Sequence, residues 1–119
     1  INNEEVTIFG DGGQTRDFVF VEDLVELMIR IIQNDNLKNH IVNAGTGKNT
    51  KIIDAAKLCG KVLGIEPNFV FKSQEGGERQ AFQASMEKCN EHFGWIPDTS
   101  FEAGLSATAV WLKHLLSNE

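Results

Sequence analysis

Tyrosine is absent from all 119 residues of the chain. Chemistry that relies on a phenol as proton donor or acceptor is therefore excluded within it. Cysteine is scarce, with only Cys59 and Cys89. They lie far apart in helix-like stretches, and neither belongs to a C-x-x-C pair or a Cys/His cluster, which excludes a zinc site of paired ligands. Two reduced, buried or half-buried thiols are expected, with a disulfide between them left open. No apolar run approaches the roughly 18 residues needed to cross a bilayer. No signal peptide is visible, so a cytoplasmic protein with no membrane contact is expected. Basic residues are also short: 11 Lys and Arg stand against 17 Asp and Glu, for a formal charge of -6 and a pI near 5.0. With no run of four basic residues, nucleic acid is not an expected partner. The chain opens at Ile1, directly in a strand-like pattern, and so reads as a piece of something longer.

What is present fits one soluble domain spanning residues 1–119, with 41% hydrophobic and 24% charged residues. Val6–Phe9 has β character and meets the turn signal Gly10-Asp11-Gly12-Gly13. A second β run over Thr15–Val21 predicts a hairpin or a bent strand pair. From Glu22 to Asn34 the period becomes helical: Leu24, Met28 and Ile31 form one stripe, with Val25, Ile29 and Ile32 beside it. So wide an apolar face predicts a well-buried helix. His40–Ala44 reads as a short strand. Thr50 is suited to cap a helix reaching Leu63, which Gly64 would stop. Pro67–Lys72 reads as a strand, Met86–Phe93 as a helix capped by Ser85 and closed by Gly94. Thr99 and Glu102 have the spacing of a capping box for a final helix to about Leu116. In that helix Phe101, Leu105, Thr108, Leu112 and Leu115 stand in register. The order β-β-α-β-α-β-α-α predicts the α/β class.

Two glycine-rich stretches invite a phosphate reading, and neither completes it. Gly45-Thr46-Gly47-Lys48 has Val42 where a P-loop needs its first glycine, and Asn49 where it needs Ser or Thr. Gly10–Gly13 leads into a strand instead of the helix that a dinucleotide fingerprint requires. His40, His92 and His114 are dispersed, without partners at metal-binding spacing, so no metal is expected. No Gly-x-Ser-x-Gly elbow is present.

The stretch Gly10-Asp11-Gly12-Gly13-Gln14-Thr15-Arg16-Asp17-Phe18-Val19-Phe20-Val21-Glu22-Asp23-Leu24 closely resembles one in the NAD-dependent epimerase/dehydratase family. Its members are extended short-chain dehydrogenase/reductases, UDP-glucose 4-epimerase among them. Four later landmarks follow in family order: Val42-Asn43-Ala44-Gly45-Thr46-Gly47, Gly77-Glu78, Gly94-Trp95-Ile96-Pro97 and Gly104-Leu105. The resemblance implies a small mixed α/β lobe, the C-terminal substrate-binding part of such an enzyme, without the main Rossmann half.

It also implies roles. Arg16 resembles the arginine that binds the diphosphate of a nucleotide sugar, a task suited to a planar guanidinium. The alternative is a surface Arg16 paired with Asp17. Phe18 falls where the family places an aromatic near the nucleotide, although a strand core position would also explain it. Asp23 resembles a structural aspartate at a helix start. Glu75 stands where the family carries a second nucleotide-contacting arginine, so Arg79 is the expected substitute. Ser85 replaces the usual Asp at a helix start. The family's cofactor fingerprint and its Tyr-x-x-x-Lys acid–base pair have no counterpart here. The resemblance therefore implies NAD and a Rossmann domain in the intact parent enzyme, and neither catalysis nor cofactor binding in this chain. Expected partners are a nucleotide-diphosphate sugar and the missing N-terminal Rossmann half; the chain alone is expected to be monomeric or to associate non-natively through apolar surface left uncovered, with the face over residues 24–32 the first candidate for an exposed patch. A stand-alone module that binds a nucleotide sugar or a protein is the rival reading.

Overall fold

The computed structural model describes residues 5–34, 40–73 and 81–117. In chain order the elements are β1 (Val6–Phe9), β2 (Thr15–Arg16), α1 (Val21–Ile32), β3 (Thr50–Lys51), α2 (Ile52–Leu63), β4 (Phe69–Lys72), α3 (Glu87–Phe93) and α4 (Phe101–Ser117). The expected α/β class is what folds: a mixed lobe with two small sheets and four helices among the described residues.

The strands pair differently from the expectation. β1 and β2 form no hairpin. β1 instead runs parallel to β4, with Val6 opposite Phe69 and Phe9 opposite Lys72. β2 runs antiparallel to β3, placing Arg16 opposite Thr50. Long-range partners override the local turn because the chain bends at Asp11, whose Oδ1 accepts the Gly13 N–H at 2.7 Å. Gln14, buried in that bend, donates through Nε2 to the Phe9 carbonyl at 2.8 Å. The second β run is also shorter than expected. The ladder ends at Arg16, and residues 17–20 join no ladder. His40–Ala44 likewise joins no strand among the described residues, and Ile41 is 90% exposed. A β-type sequence becomes a strand only when a partner takes its backbone groups.

The helices match their sequence signals more closely, and their caps differ. α2 ends at Gly64 in the left-handed conformation, as its sequence implies. Its N-cap is Lys51 and not Thr50, which is consumed in β3. α3 begins after Met86, without a side-chain cap from Ser85. At α4 the capping hydroxyl is Ser100, whose Oγ accepts the Ala103 N–H at 3.2 Å. Thr99 is diverted from the expected capping box: its Oγ1 and N–H both donate to Asp23, at 2.8 and 3.2 Å. Asp23 is buried, so this pair ties the start of α1 to the approach of α4.

The tightest core is Leu27, Cys89 and Trp95, with Val19, Leu24, Val42, Met86 and Phe93 against it. α2 packs on α4, where Lys61 Nζ meets Glu102 Oε1 at 2.7 Å. Gly104 lets Phe20 approach α4: a Cβ there would stand 2.9 Å from the Phe20 ring. Both cysteines are free, and burial raises both thiol pKa values. α1 is the exposed apolar patch expected of a lobe without its Rossmann half, not the well-buried helix that its wide face suggests on its own. Only Asp23 and Leu27 are buried on it, while Val25, Met28, Ile29 and Ile32 are exposed. In α4 the buried positions are Gly104 and Ala109, and Thr108 and Leu115 of the expected register face solvent.

Candidate functional site

The segment Arg16-Asp17-Phe18 leaves β2 and runs between the Gly45–Gly47 loop and the start of α4. Arg16 is half-buried, and its Nη1 donates to the Thr15 carbonyl at 2.8 Å. Phe18 stacks on Phe101, with ring centroids 4.8 Å apart and planes 19° apart. That pair forms one wall of a cleft of about 230 Å³, lined also by Thr46, Lys48, Thr50 and Pro97. Phe18 is thus neither a plain core residue nor a free surface one: one face packs on Phe101 while the ring borders the cleft. Arg79 and Glu75, like Gly77-Glu78, lie outside the described residues.

Asp17 accounts for the shape of this region. Its Oδ1 accepts the Thr46 N–H at 2.8 Å and also the Thr46 hydroxyl. Its Oδ2 accepts the Gly47 N–H at 2.9 Å and the Ala84 N–H at 3.1 Å. Partial burial pushes the carboxyl pKa up, but the Thr46 hydroxyl and the three backbone donors outweigh it, and the net shift is downward. Gly45 is required by the same contact: a Cβ would fall 2.7 Å from the Ala84 Cβ and 2.8 Å from Asp17 Oδ2. Gln83 reinforces the junction through Asn49 and the Gly47 carbonyl.

This arrangement decides the phosphate-loop question. The Thr46 and Gly47 amides that a bound phosphate would need are already donated to a carboxylate. The other glycine-rich turn, Gly10–Gly13, leads into β2 and not into a helix. No group of three or more His, Cys, Asp or Glu side chains poised for a metal occurs among the described residues. No described helix is long and apolar enough to cross a membrane.

Sequence reasoning singled out Arg16 and Phe18 and missed Asp17 as an organiser, Thr46 as its partner and Phe101 as the stacking ring. The signal for Asp17 was within reach: a carboxylate fixed in sequence beside Arg16, with a Gly-Thr-Gly loop rich in free amides further on. Phe101 was legible only as one member of a helical stripe.

Residues 1–45 match the family model described as NAD dependent epimerase/dehydratase family. A putative UDP-glucose 4-epimerase of Methanocaldococcus jannaschii is 32% identical over 96% of the chain, which spans 36% of that relative's length. The crystal structure of a UDP-glucose 4-epimerase with UDP-glucose, from Thermotoga maritima, superposes with a TM-score of 0.88 at 32% identity. It covers 96% of this chain and 36% of that one. A UDP-glucuronic acid 4-epimerase of Bacillus cereus, in complex with UDP-glucuronic acid and NAD, gives 0.87 at 27%, over 95% of this chain and 36% of that one. The chain spans just over a third of the length of these relatives, and over nearly all of its own length it is similar to the C-terminal part of proteins of the NAD-dependent epimerase/dehydratase family.

Proposed function

We propose that the chain is the substrate-side part of an NAD-dependent nucleotide-sugar epimerase or dehydratase, holding a nucleotide diphosphate through Arg16 beside Phe18. The observation that carries this reading is the Arg16-Asp17-Phe18 segment, pinned through Asp17 and through the Phe18–Phe101 stack, with Phe18 bordering a cleft. A guanidinium on a fixed backbone can meet two phosphate oxygens with little further loss of side-chain freedom. An aromatic ring braced by a second ring offers a flat apolar wall to the rest of the ligand. Bound UDP-sugars in the Thermotoga and Bacillus enzymes support the ligand class.

NAD and the acid–base pair belong to the remainder of the longer protein. Bound NAD would accept and return a hydride, and the family chemistry passes through a 4-keto sugar. This chain supplies binding and orientation, and by itself performs no turnover. The exposed apolar face of α1 supports a cover contributed by that remainder, the Rossmann half. Titration of the isotopically labelled chain with UDP-glucose tests the binding claim. Amide shifts should concentrate at Arg16 and Phe18 and around the cleft; a spectrum unchanged at saturating ligand would refute it.

A further inference from the structure

We infer that Asp17 is a positioning residue for the nucleotide site, acting by holding Arg16 and Phe18 in place and not by touching the ligand. The inference rests on the reading of Arg16 and Phe18 as the nucleotide contacts. Four donors from two distant segments converge on this one carboxylate: the amides of Thr46, Gly47 and Ala84, and the Thr46 hydroxyl. Each oxygen accepts two of them, so little acceptor capacity is left for a ligand hydroxyl. A bare carboxylate next to Arg16 would also repel a diphosphate. Convergent dipoles offset that charge locally, so a negative residue can stand between two ligand-binding neighbours.

The chain geometry makes the arrangement rigid. Arg16 is held by the β2–β3 ladder opposite Thr50. Phe18 is held by the ring of Phe101. Only Asp17 lies between, and its bonds reach 29 residues forward to Thr46 and 67 forward to Ala84. Gly45 is squeezed between the same carboxylate and Ala84, so no slack remains on that side. Loosening Asp17 frees the backbone on which the guanidinium and the ring are mounted, and misplacement by a fraction of an ångström is enough to lose a bidentate contact.

The test is a double-mutant cycle on UDP affinity, measured by calorimetry with the 119-residue chain. Arg16→Ala should weaken binding, which checks the underlying reading. Asp17→Asn puts amide donors against backbone donors and should weaken UDP about tenfold or more, while Thr46→Val removes one donor at constant shape and should cost about threefold. In the Arg16→Ala background, Thr46→Val should have a clearly smaller effect, because only the part of its influence that passes through Phe18 remains. A purely structural role would leave the Thr46→Val effect equally large in both backgrounds, and that result would overturn the inference. Wild-type affinity in folded Thr46→Val and Asp17→Asn would do the same while leaving Arg16 as a ligand. Unchanged affinity in Arg16→Ala would sink both readings together. Should Asp17→Asn fail to fold, the Thr46→Val cycle decides alone.

Discussion

Asp17 is the residue on which most of the local order depends, and its titration makes that dependence measurable. Its carboxyl pKa lies below the ordinary aspartate value, because the Thr46 hydroxyl and three amides favour the charged form over the cost of partial burial. A folded-state value lower than the unfolded one stabilises the fold at any pH above the unfolded value of about 3.9. The contribution is lost as pH falls from there through the depressed folded value. The acid limb of a stability profile should therefore be steep in the wild type and shallower in Asp17→Asn, as read by denaturant midpoints between about pH 5 and 2. Parallel acid limbs would contradict this account of the carboxylate. The same residue marks a limit of sequence reading. Adjacency made Asp17 look like a neighbour for Arg16, whereas its carboxylate accepts from Thr46, Gly47 and Ala84. A side chain's nearest groups in space are set by loop closure, which short-range patterns do not encode.

Among the elements, helices were legible and strands only in part. α1, α2 and α4 form where their apolar periods place them, and Gly64 and Gly94 both sit in the left-handed conformation that ends a helix. Helix hydrogen bonds close within a few residues, so sequence windows contain them. Strands need partners from elsewhere. Val6–Phe9 finds its partner in Phe69–Lys72, some sixty residues away, and His40–Ala44 finds none among the described residues. Gly104 shows how packing reverses a local rule. Helix propensity alone says that Ala at this exposed-looking pattern position should gain about 1 kcal/mol over Gly. The Phe20 Cβ, Cγ and Cδ2 atoms instead lie 2.9–3.1 Å from the site of the added methyl. Overpacking of this kind costs about 1–3 kcal/mol, so Gly104→Ala should lower the unfolding midpoint. A raised midpoint would show that Phe20 moves aside freely. Trp95 is the reverse case, a large ring buried to 1% exposure against Leu27 and Cys89. Trp95→Ala should cost about 3–5 kcal/mol in chemical denaturation. A loss below one kcal/mol would mean that the core readily collapses onto the gap.

The whole molecule is more open than a chain of its length needs to be. Its radius of gyration is 17.1 Å, against about 13.5 Å for a compact domain of this size. Exposed Val25, Met28, Ile29 and Ile32 follow from that shape, because α1 has core on one side only. Ile32 is 79% exposed. Ile32→Lys should therefore change the stability of this chain by no more than about 0.5 kcal/mol, the usual range for surface positions. In a longer protein that covers α1, the same substitution should destabilise markedly; equal, negligible effects in both would argue that nothing covers this face. The family resemblance was legible because its landmarks are largely backbone requirements, at Gly45, Gly94 and Gly104, and one core ring, Trp95. The pairing of β1 with β4 was not, since it depends on a partner strand some sixty residues away.

Binding without turnover is the central claim, and a product assay addresses it most directly. Purified chain incubated with UDP-glucose and NAD should yield no UDP-galactose, no 4-keto sugar and no NADH absorbance above a protein-free control. The sequence offers no tyrosine to move the proton, and the Thr46 and Gly47 amides are already donated to Asp17. NAD-dependent formation of any of these products by the chain alone would contradict the account.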